Sequence, residues 1–441
     1  MSTHHGTSRD GLEADREAFF GAGSVADPYQ IYDRQLQECP IHRGRPTDGF
    51  DVPTTVLDAW PADQQFTVVS YEGVTDVLRR SHAFSSTWYE HSLNAFIGPT
   101  VIGVDQPDHT RMRALLRNAF SRRQVPRWEV DVIQPIVDAQ LMPLRPLGRA
   151  DLFRDVGAHV PIRTIAALLG LPEHDTELFH TWALRMTSPV VAAADRIAAG
   201  NEVADYVAPI IEARRTDPGG NDLISMLVHA EVGPDDSGEM DSAGELPGTP
   251  GDSAQYSDPL TADEVNSFIR LLIIAGASTT YRAYGNLMLH LLTNPEYFAQ
   301  VRDDRSLVER AIDESLRLEQ PVVHFGRLAL ADTTVLGEPV AAGCPVNVNV
   351  GAANHDPAVW NDAHAFDLHR PNVERHLTFG YGIHRCLGVH LAKSELIVLL
   401  NRTIDLLPNL RLADDPPSHF NGLGFRMPTH VAVEFDVQHD N

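Results

Sequence analysis

Phe379-Gly380-Tyr381-Gly382-Ile383-His384-Arg385-Cys386-Leu387-Gly388 is the stretch on which the reading of this 441-residue chain turns. A single cysteine follows a glycine-rich loop and immediately precedes a run that reads as a helix from about Leu387 to Leu406. Gly380 and Gly382 permit positive φ and a close approach of backbone to a flat partner. The helix start supplies backbone N–H groups and the positive end of its dipole. Both favour a thiolate over a thiol, and Gly388 lets the helix lie tight against whatever the sulfur binds. The two other cysteines, Cys39 and Cys344, have no such context and read as structural. Three cysteines exclude a disulfide framework and a four-cysteine zinc site, so Cys386 acts alone.

Working outward, residues 351–385 are rich in His, Asn, Asp, Pro and Gly and read as a long irregular segment, which in a compact domain is often functional. Helical signals dominate from Asp27 to about Val340, and the pattern changes after Pro321. Thr261-Ala-Asp-Glu264 is a capping box opening a run that continues to Asn294. At about 1.5 Å per residue this helix is on the order of 50 Å long. It is apolar on most faces from Phe268 to Ala277, so it crosses the core. Asn294-Pro295 starts a second helix, and Ser306-Leu-Val-Glu309 reads as a further capping box. Arg327 to Val350 reads as short strands with turns at Gly337-Glu338 and Gly343. His430 to Val437 alternates like a strand.

Residues 1–25 read as a polar leader and 26–441 as a single domain. Residues 233–258 carry seven acidic side chains and no Lys or Arg. They read as a mobile surface loop, either a solvated insertion or an acidic docking arm.

The charge balance is 35 basic against 60 acidic residues, a net of −25. That argues against nucleic acid as the partner, because neutralising phosphates needs a basic face. No apolar run approaches the roughly 18 residues of a membrane helix, and the first residues lack a signal core; both suggest a cytoplasmic protein. Lys393 is the one lysine, so 34 of the 35 basic residues are arginine. The skew reads as codon bias in a GC-rich, bacterial genome.

The cysteine stretch resembles the heme-binding loop of the cytochrome P-450 family, Phe-Gly-x-Gly-x-His-x-Cys-x-Gly, and the resemblance extends over roughly residues 60–437. It implies a mainly α fold with a smaller β lobe and heme b held by Cys386 as axial thiolate, a ligand that favours O–O cleavage. Phe379 and Gly380 would pack against the sulfur and the heme. Glu314 and Arg317 form Glu-x-x-Arg on one helix face, and Phe366-Asp-Leu-His-Arg370 supplies Arg370. In the family such a trio is a structural lock for the cysteine loop. The resemblance assigns His109, Arg113, Arg327 and His384 to the heme propionates.

Ala275-Gly276-Ala277-Ser278-Thr279-Thr280 lies on the long helix. A Gly followed by Thr loosens the local ladder, since Gly is disfavoured by about 1 kcal/mol and the hydroxyl competes for backbone groups. By resemblance this is the oxygen groove, and Thr279 is the threonine that organises proton delivery. The preceding position is usually Asp or Glu, but here it is Ser278, which relays a proton but holds no charge. Delivery then runs through Ser278 with water, or through Asp105 or the substrate. The distal segments are mostly apolar: Trp88, Phe96, Ile97, Val190, Leu272, Ala275, Val323, Phe325 and Phe425 are candidate pocket residues for a lipophilic small molecule. His91 and His324 are candidate polar anchors.

The implied reaction is monooxygenation: hydroxylation, epoxidation or heteroatom dealkylation. Electrons would come from NAD(P)H through a reductase and a ferredoxin-type donor, since the chain has no dinucleotide fingerprint of its own. The donor would dock on a local basic patch of Arg111, Arg117, Arg122, Arg123 and Arg385, with the enzyme acting as a monomer. Two other classes compete. One is a heme sensor, against which Thr279 argues. The other is a cysteine hydrolase using Cys386 and His384, whose spacing on one loop suits a nucleophile–base pair poorly.

Overall fold

The computed structural model describes residues 25–50, 52, 59–187, 191–217, 219–231, 258–413 and 417–438. Val190, most of the acidic segment 233–258 and the leader except Val25 lie outside the described residues.

The long helix is the axis of the larger lobe. It runs Ala262–Thr293, and the expected capping box opens it: Thr261 Oγ1 accepts from the Glu264 N–H at 3.2 Å, and a Glu264 carboxylate oxygen accepts from the Thr261 N–H at 2.8 Å. Numbering only the helices used here, α1 is Asp108–Arg117, α2 Val160–Leu168, α3 Ala193–Thr216, α4 this axis, α5 Pro295–Asp303, α6 Val308–Leu318 and α7 Val389–Leu406. Helices α2, α3, α6 and α7 pack around α4. Its mixed apolar faces have buried neighbours on nearly every side, as its composition requires.

Two of the expected helix starts differ in detail. Pro295 is the first residue of α5, but the Asn294 side chain turns back, its Nδ2 donating to the His290 carbonyl at 2.8 Å. The Ser306–Glu309 box does not form. Asp304 takes the cap instead, accepting from the Ser306 N–H at 3.0 Å and its hydroxyl at 2.7 Å, and a single 3₁₀ turn precedes α6. An ionised carboxylate is the better acceptor for those donors.

The smaller lobe is β-rich. Strands β1 (Ile41–Arg43), β2 (Phe66–Val68), β3 (Phe84–Ser85), β5 (His324–Ala329) and β8 (Pro345–Asn349) form one sheet in the order β1-β2-β8-β5-β3. Only β2 and β8 run parallel. β4 (Arg149–Asp151), β12 (Ala432–Glu434) and β9 (Arg411–Leu412) make a second sheet. β6 (Thr333–Val335) and β7 (Glu338–Val340) form a hairpin whose central residues are Leu336 and Gly337, both at positive φ, the geometry of a tight hairpin turn. The expected turn was one residue later. β8 is buried at every position. A separate apolar cluster of Phe66, Val68, Val77, Phe84, Val346 and Val348 gives this lobe its own core.

Candidate active site

Cys386 stands where the two lobes meet, between the 3₁₀ turn Gly382–His384 and α7. Gly380 and Gly382 have φ of 74° and 70°. A Cβ on Gly382 would come 2.6 Å from the Leu78 carbonyl oxygen, so the loop needs glycine there twice over. The turn closes when the Cys386 N–H donates to the Phe379 carbonyl at 2.7 Å. Burial pushes the Cys386 thiol up, while the Gly388 N–H and the charges of Arg113 and Arg385 pull it down. Burial wins. The helix itself begins at Val389, three residues beyond the sulfur, so the groups that pull the thiol down here are the Gly388 N–H and the two arginines rather than a full helix N-terminus.

The lock trio is assembled in the interior. Arg317 forms a bidentate pair with Glu314 at 2.8 and 2.9 Å, and Arg370 Nε reaches the same carboxylate at 2.8 Å. Both arginines also donate to carbonyls of the irregular segment, among them Asn354 and Ala365. Glu314 accepts the Asp367 N–H as well, at 2.9 Å. The trio therefore ties α6 to the chain that leads into the cysteine loop. All three side chains are buried.

His109, Arg113, Arg327 and His384 converge beside this loop. The His109 and His384 rings lie 4.2 Å apart, and each feels Arg113 and Arg327. Burial, with those two guanidinium groups, holds His109 down to about 3. The buried Nε2 of His109 has no hydrogen-bond partner among the described residues, and neither has Trp88 Nε1. Trp88 packs face-on over Gly326, beside Arg327; a Cβ at Gly326 would strike the indole at 2.2 Å. His384 is different: its ring nitrogens already meet Ser86 Oγ at 3.0 Å and the Val101 carbonyl at 3.2 Å. The two guanidinium groups and the orphaned Trp88 N–H suit an anionic group, and the open space off Gly388, with no atom within 4 Å of a Cβ there, suits a flat one. The donor set fits a heme with its propionates.

On α4, Ala275 is exposed and Gly276 and Thr279 half-buried, although the neighbouring turns are buried. Thr279 Oγ1 donates to the Ala275 carbonyl at 2.7 Å. Gly276 points elsewhere, against Ile165 of α2, so its smallness serves helix packing. Ser278 is buried, and its carbonyl accepts from Arg282 Nη1 at 2.5 Å. Arg282 in turn lies under the Phe425 ring at 4.6 Å. Asp105 is engaged with Ser85 and the Ser86 N–H, on the His384 side of the site. Behind α4, burial pushes the Glu395 carboxyl up to about 8, against the opposing pull of Thr164 and Thr280.

The expected pocket residues divide. Ala275, Phe325 and Phe425 retain exposed surface. Ile97 and Val323 are wholly buried, and Trp88, Phe96 and Leu272 nearly so. Phe96, Ile97, Leu272 and Val323 belong to the core clusters, the short helix Asn94–Ile97 being pressed against Gly200 of α3 and Val323 lying under the β lobe, while Trp88 keeps an unpartnered Nε1 at the site. His324 is half-buried against Tyr32, whereas His91 is exposed beside Trp60. Arg111 does not belong to a free basic patch: it pairs with Glu264 and donates to the Asp258 and Pro259 carbonyls. Sequence reasoning missed Ser86, Trp88 Nε1 and Arg282 as site groups. Only the buried charge of Arg282, three positions after Thr279, left a trace in the pattern.

The cytochrome P450 model matches residues 249–429. The cytochrome P450 monooxygenase PikC of Streptomyces venezuelae is 30% identical over 406 residues, covering 90% of this chain and 88% of that protein. The chain belongs to the cytochrome P450 family. The vitamin D3 dihydroxylase of Streptomyces griseolus is 34% identical over 314 residues, 71% of each chain. A Bacillus megaterium P450 solved in complex with testosterone superposes with a TM-score of 0.77 at 26% identity, covering 93% of this chain and all of that one. The fold is thus the mainly helical P450 fold with small sheets. The protein is an oxidoreductase with heme monooxygenase activity on small molecules, and its cofactor is heme b bound through a cysteine thiolate. No helix among the described residues is long and apolar enough to cross a membrane.

Proposed function

We propose that residues 26–441 act as one monooxygenase domain in which Cys386 is the axial ligand. The observation that carries this is the convergence of His109, Arg113 and Arg327, with an orphaned His109 Nε2, beside the cysteine of the Gly380–Gly382 loop. His109, Arg113 and Arg327 would hold the propionates, joined by Trp88 Nε1. His384 would act one step back, anchoring the loop to Ser86 and Val101. The heme, once bound, supplies the oxygen-activating chemistry.

The rest falls to side chains. Cys386 is half-buried and would hold the heme as its thiolate, with the Gly388 N–H, Arg113 and Arg385 steadying the sulfur's charge. Thr279 Oγ1 spends its own proton on the Ala275 carbonyl, which leaves its lone pairs able to accept from a water. Such an arrangement organises a water chain without a carboxylate at 278. Ala275, Phe325 and Phe425 would meet the substrate, a lipophilic small molecule undergoing hydroxylation, epoxidation or heteroatom dealkylation. NAD(P)H would supply electrons through a reductase and a ferredoxin-type donor docking on exposed Arg122 and Arg123 and on Arg385.

The test is spectroscopic. Cys386→Ala is expected to lose the thiolate-type reduced-CO spectrum. Retention of that spectrum in the variant removes the assignment.

A further inference from the structure

Glu314 has a neighbour with partners of its own. Asp313, the preceding residue on α6, is buried and takes no part in the arginine lock. Lys393 of α7 reaches its carboxylate with Nζ 2.6 Å from Oδ1 and 2.9 Å from Oδ2. His376, from the chain entering the cysteine loop, brings Nε2 to 3.5 Å from Oδ1. His376 Nδ1 accepts from the Thr378 N–H at 3.3 Å, so the ring's proton sits on Nε2 and faces Asp313. Burial pushes the Asp313 carboxyl up, and His376 and Lys393 together outweigh it, holding it below the usual carboxylate range.

The placement gives the cluster its meaning. His376 lies ten residues before Cys386 and Lys393 seven after it. One carboxylate on a third element therefore grips both ends of the segment that presents the sulfur. The His376 ring packs at 5.7 Å from Phe379, whose carbonyl takes the Cys386 N–H. Between them, the Leu377 N–H donates to Asn354 and the Thr378 hydroxyl to the Leu316 carbonyl. Lys393 is also the only lysine in a chain whose other basic residues are all arginine.

We propose that Asp313, His376 and Lys393 form a second clamp, separate from the Glu314–Arg317–Arg370 lock, and act as positioning residues for the Cys386 sulfur. The clamp rests on the reading of Cys386 as axial ligand. The arginine lock holds the chain far upstream of the cysteine; the clamp fixes the stem of the loop relative to α7. Its loss should leave heme binding in place and loosen the sulfur.

The experiment compares holoproteins of wild type, Asp313→Asn, Lys393→Met, Lys393→Arg and the double variant Asp313→Asn/Lys393→Met. The first measurement is the rate at which the thiolate-type reduced-CO band decays to the form without thiolate. The second is acylation of Lys393 by an amine-reactive ester, mapped by peptide mass. Asp313→Asn and Lys393→Met are expected to keep heme and lose the band about tenfold faster, the scale of one charge-assisted bond. Lys393→Arg keeps the charge and should restore most of the wild-type rate. The double variant should decay no faster than Asp313→Asn, since both remove the same contact. Lys393 should acylate slowly in wild type and about tenfold faster in Asp313→Asn. Wild-type decay in Lys393→Met overturns the clamp, as does equal acylation in wild type and Asp313→Asn. If Asp313→Asn does not fold, the Met and Arg variants at 393 carry the same comparison. A wild-type protein without the thiolate-type band overturns the Cys386 reading instead.

Discussion

Thr279 and Ser278 carry the sharpest prediction at the scale of single residues. The Thr279 hydroxyl leans on Ala275, the one exposed residue of its turn, while Ser278 is buried with its carbonyl held by Arg282. Thr279→Ala should still bind heme and substrate. Product per NAD(P)H should fall on the order of tenfold, less than the about 10²–10⁴-fold of a direct general acid because water can still enter. The missing electrons should appear as hydrogen peroxide, and unchanged coupling would exclude the role. Ser278→Asp places a carboxylate one helical turn from Arg282, whose guanidinium donates to the Ser278 carbonyl. Coupling should be equal or better; a large loss would mean the relay is tuned to a hydroxyl. Much of this site was legible in the sequence because glycines, a lone cysteine and fixed offsets are local signals. The pull of Arg113 on the sulfur was not, since it comes from a distant element. Nor was the engagement of His384 with Ser86 and Val101, residues some three hundred positions away.

Elements were read well where their signals are contained within them. α4 carries its own capping box and apolar faces, and it forms within a residue of where the pattern puts it. β1, β2 and β3 were missed: they are two or three residues long, and the sheet that stabilises them runs through β8 and β5, far along the chain. Strands that short have no periodicity to read. The cysteine loop shows the same coupling between elements. Gly382 abuts the end of the helix Tyr71–Arg79 through the Leu78 carbonyl, so one glycine joins both lobes at the sulfur. Gly382→Ala puts a side chain at positive φ, a cost of roughly 1–2 kcal/mol, and drives its methyl into backbone that has no rotamer to give. The loop must shift, and the expected outcome is reduced heme retention at unchanged helix content. Heme content and circular dichroism measured together check it; full heme occupancy would show that the Tyr71–Arg79 helix yields instead.

At the scale of the whole molecule, the chain has buried groups whose titration opposes or favours folding as one sum. Burial holds His290 and His324 down to about 3, and holds His355 well below its ordinary value. For a base depressed in the folded state, the unfolded chain binds the extra proton between the two pKa values. Stability is therefore lost as pH falls below about 6.5, by roughly 1.0 kcal/mol per histidine over the first unit and approaching about 1.4 kcal/mol per unit below that. Glu395 works in the opposite sense. Raised to about 8, it keeps its proton in the folded state where the unfolded chain is ionised, so acidification from pH 8 toward its ordinary range favours folding. One such acid offsets about one histidine, and His290, His324 and His355, with His109 and His384 shifted the same way, outweigh it. The unfolding temperature should then fall from pH 7 to pH 5.5. His290 is stacked on Phe366 at 5.2 Å and leans on Phe420 at 4.6 Å, so His290→Phe keeps the ring contacts and removes one titrating group. That variant should flatten the pH dependence, while Glu395→Gln, which removes the offsetting acid, should steepen it. Calorimetric unfolding across that interval reads both. Equal slopes in wild type and His290→Phe would mean that His290 is protonated in the folded protein, and that the aromatic junction around it opens to water well before the chain unfolds.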